Sequence, residues 1–243
     1  LSFDEMGGWA TNDTALITRA YASDDDVTLP TASDVRKYGY DLDGWMEDPT
    51  VEVLYAPGST IKMFGYNATL YAHWVPRVYS VVFDNMGGAW PANGSYTFTG
   101  RKDGLNWNSN ELLDGVPDPE KTGYTFAGWY TNLDGGSTSA KISNSMLFEA
   151  IAPIDLMTGE PIDTDGTVVT LYAKWVESYT QINYYIITPD LQDAPEGGTL
   201  TLDSETVRSV YGVPAGTSFT PNAGYDFLYW YDADYQIVYQ YTD

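Results

Sequence analysis

The sequence lacks cysteine and contains a single histidine, His73. Without cysteine, the chain has no disulfides, no reactive thiol and no cysteine–zinc site. One histidine leaves almost no material for a catalytic triad or a histidine-rich metal site. We therefore expect a protein that is not an enzyme, with no catalytic residue, no cofactor-binding residue and no metal ligand.

Basic residues and long apolar runs are also scarce. The sequence has 11 Lys and Arg against 34 Asp and Glu, which gives a formal net charge of -23. This charge repels phosphate backbones and anionic lipid headgroups, so we expect neither nucleic-acid binding nor membrane insertion. No apolar run approaches the roughly 18 residues of a membrane span, and no signal-peptide pattern opens the chain. The chain begins at Leu1 inside a strand-like pattern, so we expect a segment of a longer protein.

Aromatic residues, in contrast, are abundant. The 21 Tyr, 8 Trp and 8 Phe make up 15% of the 243 residues, which is enough to build packed cores and excludes a disordered tail. The 13 Pro and 23 Gly are scattered along the chain and are typical of many short strands and turns. Helix signals are confined to short stretches at residues 33–37 and 108–113. The sequence therefore predicts a mainly β fold with brief helices.

The chain repeats itself. A block that runs from Gly-Tyr to Trp occurs three times, at residues 39–45, 123–129 and 224–230. The first two copies follow a Phe-Asp-x-Met-Gly-Gly block and precede a Leu-Tyr-Ala-x-Trp block, and these flanking blocks lie at residues 3–8, 83–88, 70–74 and 171–175. Three blocks in the same order indicate tandem domains and not a tight solenoid, because the repeat length varies.

The block positions predict three domains: repeat 1 over residues 1–77, repeat 2 over 78–177 with a long insertion, and repeat 3 over 178–243. Repeat 3 has no Leu-Tyr-Ala-x-Trp block and carries Tyr184 where repeat 2 has Phe83. We expect it to be divergent or truncated. The connections between repeats are only about three residues long, which predicts a semi-rigid rod. We also expect the chain to be a monomer.

The Gly-to-Trp block breaks strand periodicity. Phe126 and Trp129 are three residues apart and would point to opposite faces of a regular strand. A β-bulge at Ala127-Gly128 would bring both onto one face, and the same spacing recurs in the other two copies. We therefore predict a bulge in each repeat, including repeat 3, where Tyr229 stands in place of Gly.

The three blocks together resemble the Listeria-Bacteroides repeat, the family that includes the internalin B-repeats. The resemblance covers repeats 1 and 2 nearly end to end, while repeat 3 matches through residues 224–230 and otherwise has a weak similarity to a mucin-binding-type β-grasp module. It implies compact β-grasp-like domains in tandem on secreted and wall-attached bacterial proteins, without catalysis. The long insertion in repeat 2 and the lost Gly in repeat 3 are departures from the family pattern.

The repeated aromatic and aliphatic positions are candidates for the core of each domain, since they lie beside Gly or on the apolar face of strands. The expected core residues are Phe3, Tyr40, Trp45, Leu70, Trp74, Phe83, Tyr124, Phe126, Trp129, Leu171, Trp175, Tyr225, Phe227 and Trp230. Trp9, Trp90 and Trp107 lie outside the closing strands, and we expect them to be partly exposed and available for ligand contact.

The sequence is also compatible with a calcium site and with an isopeptide link. Residues 24–26 and 163–166 have the carboxylates of a calcium loop, but neither completes the alternating ligand pattern, so solvated turns are the favoured interpretation. Lys62 and Lys141 are candidates to form an intramolecular isopeptide bond with an Asn or Asp side chain.

These patterns predict a non-enzymatic extracellular repeat segment of a bacterial cell-surface or cell-wall protein. We expect it to act as a stalk or spacer, with a host or cell-wall protein or glycan as a further partner. The alternative is a carbohydrate-binding accessory segment of a larger secreted enzyme.

Overall fold

The computed structural model describes residues 1–12, 16–51, 53–92, 98–133, 141–188, 190, 192–231 and 237–240. The protein is mainly β, as the sequence predicts, and the two helical segments in these residues are single 3-10 turns at Phe148–Ala150 and Pro195–Gly197. Among the described residues, no helix is long and apolar enough to cross a membrane. The chain divides into two compact units, one formed by Leu1–Pro119 with Ala127–Lys174 and the other by Glu120–Phe126 with Trp175–Asp243.

Repeat 1 is built on a mixed three-stranded sheet. Its strands are β1 (Ser2–Asp4), β2 (Trp9–Ala10), β3 (Asp26–Thr28), β4 (Val35–Arg36), β5 (Tyr40–Met46), β6 (Thr60–Lys62) and β7 (Thr69–Pro76). The sheet has the order β1-β7-β5, so the closing strand β7 is central, parallel to β1 and antiparallel to β5. Two small antiparallel pairs, β2 with β4 and β3 with β6, complete the repeat. The core is apolar, with Trp45 and Leu70 fully buried.

Repeat 2 has the same central arrangement with one additional strand. Its strands are β8 (Tyr79–Asp84), β9 (Arg101–Leu105), β10 (Tyr124–Tyr130) and β11 (Val168–Glu177), in the sheet order β10-β11-β8-β9. The closing strand β11 is again parallel to the opening strand, with Phe83 opposite Leu171, as Phe3 is opposite Leu70 in repeat 1. The equivalent registers show that the recurring blocks mark equivalent strands.

The Phe-Asp-x-Met-Gly-Gly block forms the turn that ends each opening strand. In repeat 1, Met6 and Gly7 have positive φ angles of 49° and 82°, and the Gly8 amide donates to the Glu5 carbonyl at 2.9 Å. Two successive residues with positive φ are the signature of a type I′ turn, and Gly at the second position relieves the steric cost. The Asp4 carboxylate accepts the Met6 amide at 2.8 Å. Asp84, Met86 and Gly88 repeat the same contacts in repeat 2.

The β-bulge in the Gly-to-Trp block is present in repeat 1. The register of β5 against β7 shifts between Leu42 and Gly44, so one extra residue lets Leu42 and Trp45 share the buried face. In repeat 2, Gly128 has a φ of 130°, a conformation that favours glycine.

Repeat 3 consists of three two-stranded sheets in the described residues. Its strands are β12 (Tyr179–Asn183), β13 (Gly198–Leu200), β14 (Ser204–Arg208), β15 (Phe219–Pro221), β16 (Tyr229–Tyr231) and β17 (Ile237–Gln240). They pair antiparallel as β12 with β14, β13 with β15 and β16 with β17. The predicted bulge before Tyr229 is wrong in position, because β16 begins at Tyr229 and its irregularity lies between Trp230 and Tyr231.

Both short helices expected from the sequence are wrong. Residues 108–113 and 33–37 form turns and a short strand instead. In repeat 2, the Lys102 ammonium donates to the backbone carbonyls of Glu111 and Asp114, so a side chain binds the carbonyls of these turns. In repeat 1, β4 pairs with β2 across this stretch.

One aromatic pair recurs in all three repeats. Phe3 packs edge-to-face on Trp45 and Phe83 on Trp129, both with ring centroids 5.0 Å apart. Tyr184 and Trp230 form the third pair at 6.1 Å. Phe3 and Phe83 lie in the opening strands and Tyr184 directly follows β12, so each pair joins this part of its repeat to the end of the Gly-to-Trp block.

The expected core residues differ in burial. Trp45, Leu70, Phe83, Trp129 and Leu171 are buried. Eight others are partly buried: Phe3, Tyr40, Trp74, Tyr124, Phe126, Trp175, Phe227 and Trp230. Tyr225 lies at the surface instead of in the core, with an exposed fraction of 42%.

Candidate functional site at the joints between repeats

The three tryptophans expected to contact ligands lie in different environments. Trp9 keeps an exposed fraction of 38% and packs against Tyr38 at 4.8 Å. Trp90 packs on Phe98 and Trp129, with centroids 4.7 and 5.7 Å apart. Trp107 is 5% exposed and is therefore not positioned to contact a ligand from solvent. Of the three, only Trp9 presents a large surface.

Trp107 is buried where repeat 2 meets repeat 1. It packs on Tyr38 of repeat 1 and on Tyr79 of repeat 2, with ring centroids 6.0 and 5.9 Å apart. Gly39 lies directly against this indole, since a Cβ added to Gly39 would be 2.2 Å from the Cβ of Trp107. Gly39 also has a φ of 78°. Both the backbone conformation and the close approach therefore require glycine at the start of the Gly-to-Trp block.

Hydrogen bonds join the two repeats at the same place. The Arg77 amide donates to the Gly39 carbonyl at 2.8 Å, immediately after the closing strand of repeat 1. The Asn108 side-chain amide donates to the Tyr40 hydroxyl at 2.9 Å. The sequence predicts Tyr40 in the core, whereas its hydroxyl accepts a hydrogen bond from the next repeat.

Asp163 is a buried charged residue of this joint, with an exposed fraction of 7%. Its carboxylate lies 3.2 Å from the Arg36 guanidinium and 3.0 Å from that of Arg77, and it accepts the Gly39 amide at 3.2 Å. Its backbone carbonyl accepts the Tyr79 hydroxyl at 2.9 Å. A buried carboxylate requires such partners, and here they come from both repeats.

The electrostatics of the joint follow from this packing. Burial opposes the charge on Arg77, but the hydrogen bond to Asp41 and the charges of Asp163 and Asp41 outweigh it and raise the pKa of Arg77. Burial, followed by the charge of Asp163, raises the pKa of Tyr79 to about 12. The joint thus holds a charged guanidinium and a neutral phenol at neutral pH.

The second compact unit contains an equivalent joint. Gly123 has a φ of 78°, and a Cβ added there would lie 2.4 Å from Val210. The Ser178 amide donates to the Gly123 carbonyl at 2.9 Å, as Arg77 does to Gly39. Tyr124 hydrogen-bonds Tyr211, as Tyr40 does Asn108. The start of the Gly-to-Trp block therefore contacts the following repeat in both cases.

An acidic residue also anchors the second joint. Glu177 pairs with Arg208 at 3.3 Å and accepts the amides of Val210 and Tyr211 at 3.3 and 3.1 Å. Asp163 and Glu177 are not equivalent in sequence, so each joint uses its own carboxylate beside a shared backbone contact.

Sequence reasoning missed the joint residues for identifiable reasons. The pattern around Asp163 indicates a solvated turn or an incomplete calcium loop, and not a buried charge. The packing partners of Gly39 and Gly123 are Trp107 and Val210, which share no residue type. The usable signal was the fixed Gly-Tyr dipeptide itself, because a glycine is retained where a backbone needs positive φ or close approach.

A groove opens beside the first joint. It has a volume of about 590 Å³ and is lined by Trp9, Thr11, Arg36, Tyr38 and Glu160. The Arg36 guanidinium lies 4.8 Å over the Tyr38 ring. An exposed indole beside charged and hydroxyl groups can stack on a sugar ring and hydrogen-bond its hydroxyls.

The carboxylates of the possible calcium loop and the lysines of the possible isopeptide link contact other groups in the structure. Asp25 accepts the Ala22 amide at 2.7 Å, and Asp26 pairs with Lys62 at 2.7 Å on an exposed surface. Within the described ranges, no group of three or more His, Asp or Glu is placed to hold a metal ion. Lys141 forms a β-bridge with Tyr130 and packs against Gly128.

Repeats 1 and 2 are thus small β domains in tandem, each with a closing strand parallel to its opening strand. The family model of the Listeria-Bacteroides repeat domain matches residues 1–73 and 79–151, more than half of the chain. The chain belongs to this family.

Three relatives are similar to this chain in sequence. Two are proteins of Evansella cellulosilytica, one provisionally named a Gly-rich membrane protein and the other a membrane protein; they are 26% and 27% identical over 91% and 80% of this chain. Internalin H of Listeria monocytogenes is 30% identical over 55% of it. The matches cover 21%, 23% and 19% of these relatives, so the chain spans about a fifth of their length. No solved structure matches the chain.

Proposed function

We propose that the chain is a non-enzymatic extracellular spacer, a repeat segment of a bacterial cell-surface protein that holds its domains at a fixed separation. The observation that carries this proposal is the recurrence of one joint, in which a positive-φ glycine packs on the next repeat and its carbonyl accepts the amide that follows the closing strand. A joint with buried side chains and paired charges resists bending more than a flexible linker does.

The family and the named relatives support this proposal. Internalin H and the two Evansella proteins are described as an internalin or membrane proteins, which fits a surface location. The net charge of -23 keeps neighbouring chains apart and favours a monomer.

Backbone relaxation by NMR tests the spacer function. If the joint holds, amides in repeats 1 and 2 will report one shared rotational correlation time at the size of the linked pair. Two shorter correlation times, each near that of a single repeat, would contradict a spacer of fixed length.

A second function, glycan binding at the groove beside the first joint, is favoured by the exposed indole of Trp9. This function suits either an adhesive role toward a host or cell-wall glycan, or the accessory segment of a secreted enzyme. Titration of the chain with a glycan library would give saturable fluorescence quenching that is lost in Trp9→Ala and kept in Trp90→Ala. Quenching that is absent, or equal in both variants, would remove the groove from consideration.

A further inference from the structure

The groove beside the first joint is built on the short ladder between β2 and β4. Trp9 and Arg36 are directly opposite each other in this antiparallel ladder, so their side chains lie on the same face. The Trp9 ring packs against Tyr38 with the ring centroids 4.8 Å apart, and the Trp9 side chain remains 38% exposed. The ladder therefore holds an indole in place and leaves part of it accessible from the groove.

The positive charge of the groove is already paired. The Arg36 guanidinium lies 3.2 Å from the buried Asp163 carboxylate and 4.8 Å over the Tyr38 ring. An anionic ligand that drew Arg36 away would leave this buried carboxylate with less compensation, and an uncompensated buried charge is costly. The groove is therefore poorly suited to an acidic sugar.

Glu160 supplies the negative charge of the groove from the long insertion of repeat 2. A hairpin over residues 153–162 positions it, because the Asp155 amide donates to the Glu160 carbonyl at 2.9 Å and the Ile162 amide donates to the Pro153 carbonyl at 2.7 Å. Among the described residues, no basic side chain forms an ion pair with the Glu160 carboxylate. Its charge is therefore available to a cation from solution.

The charge of the whole chain acts in the same direction. A net charge of -23 raises the concentration of cations near the surface. The face of an indole attracts an ammonium group through its π electrons, and a carboxylate in the same groove adds an ion pair. The indole also offers an apolar face on which a sugar ring can stack. Together these features favour a sugar that carries a positive charge.

We propose that the groove binds a cationic amino sugar, a hexosamine whose amine is not acetylated and therefore carries a positive charge. Trp9 stacks on the sugar ring, and the Glu160 carboxylate pairs with the ammonium group. The Thr11 hydroxyl donates to the Ser33 carbonyl at 2.6 Å, so its oxygen accepts a hydrogen bond from a sugar hydroxyl. This inference rests on the glycan function proposed for the groove and adds the class of sugar. Because Trp9 belongs to repeat 1 and Glu160 to repeat 2, the site requires both repeats.

Calorimetric titration of the full 243-residue chain with two oligosaccharides of equal length tests the proposal. One is a glucosamine oligomer and the other is its fully N-acetylated counterpart. The titration is run at about pH 6, where amines are mostly protonated, and in about 0.15 M salt, which screens the long-range field of the chain. The glucosamine oligomer is expected to bind at least about threefold more tightly, the size of an exposed ion pair with a cation–π contact. Glu160→Gln should reduce this preference to within about twofold.

Two further variants separate the groove from the overall charge. Glu111→Gln makes the same change in charge at an exposed position outside the groove and should keep the preference. Trp9→Ala should lose binding of both oligomers, while circular dichroism reports whether each variant remains folded.

The possible failures of this experiment are distinguishable. Equal binding of the two oligomers, or tighter binding of the N-acetylated one, would overturn the cationic sugar and leave the glycan function standing. A preference that persists in Glu160→Gln would come from the net charge of the chain and would also overturn the proposal. Binding of neither oligomer would remove the groove as a glycan site and the proposal with it.

Discussion

The tryptophan side chains differ in environment although the blocks place several of them at related positions. Trp129 is 2% exposed and lies beneath both Phe83 and Trp90. The Trp45 indole donates to the Pro30 carbonyl at 2.9 Å, and that of Trp74 donates to Glu5 at 2.7 Å. A buried indole needs such a partner, so these contacts fix the ring as well as bury it.

Replacing Trp129 by Ala is expected to cost repeat 2 about 3–5 kcal/mol in the free energy of unfolding, because the change leaves a cavity beneath two aromatic rings. Denaturant unfolding measures the loss. The matched control is Trp9→Ala, in which a side chain with 38% exposure is removed and a much smaller loss is expected. Equal losses in the two variants would contradict the burial of Trp129.

Replacing Asp163 by Asn keeps the shape of the side chain but removes its charge. Arg36 and Arg77 then lose an anionic partner, and we expect the unfolding free energy to fall by about 1–3 kcal/mol. Asp118→Asn, at an exposed position, serves as the control and should change stability little. Thermal unfolding of both variants provides the comparison, and an unchanged transition in Asp163→Asn would mean that the ion pairs add nothing to the joint.

Tyr79 is expected to make the free energy of unfolding depend on pH in the alkaline range. Its pKa is about 12 in the folded chain against an ordinary value of 10.0, so its contribution is complete below pH 10 and is lost as the pH rises toward 12. Stability should therefore fall over this range, and less steeply in Tyr79→Phe. Chemical denaturation at stepped pH tests this, and identical slopes for the two proteins would rule out a role for this phenol.

At the scale of elements, the Gly-to-Trp strand combines two duties. Its end carries the core tryptophan, whereas its start contacts the next repeat in both joints. Tyr225 shows the difference, since it is exposed and a Cβ added at Gly224 would meet no atom within 4 Å. The tyrosine of this block is therefore a residue of the joint more than of the core.

Alanine substitutions at the first glycine of each Gly-to-Trp block separate the cost of backbone strain from the cost of a clash with the next repeat. Gly39, Gly123 and Gly224 all have positive φ, at 78°, 78° and 91°, so each substitution carries a strain of about 1–2 kcal/mol. Only at Gly39 and Gly123 would the new methyl group also clash, with Trp107 and Val210. We expect both to destabilise more than Gly224→Ala when unfolding is followed by hydrogen exchange. Equal losses of stability in the three variants would mean that the clashes at Gly39 and Gly123 add nothing to the backbone strain.

The sequence predicted the mainly β fold, the turns after the opening strands and the burial of Trp45 and Trp129 because these follow from local pattern, whereas Trp74, Trp175 and Trp230 are only partly buried. Positive φ at Gly7 and Gly87 and the bulge at Leu42 can be inferred from glycine spacing and periodicity. The joints could not be inferred in this way, since Trp107 contacts a residue 68 positions earlier and its counterpart is an aliphatic valine. Burial of Asp163 depends on partners that the fold brings to it from residues 36, 39 and 77.

At the scale of the whole molecule, the proposed spacer function depends on how the repeats are joined. The net charge of -23 opposes compaction and self-association, so the charges that are buried must be paired locally. The Arg77 guanidinium meets this need in the first joint through Asp41 and Asp163. Small domains joined in this manner would hold the fixed separation that the proposed spacer function requires.

The most direct test of this spacer function is the distance distribution across the first joint. The chain has no cysteine, so nitroxides can be placed uniquely with Asn67→Cys in repeat 1 and Asn110→Cys in repeat 2. Pulsed electron–electron double resonance should give one narrow distance distribution. This distribution should broaden when Gly39→Val is added to disrupt the packing on Trp107. A broad distribution in the chain that retains Gly39 would contradict a fixed joint and, with it, the spacer function.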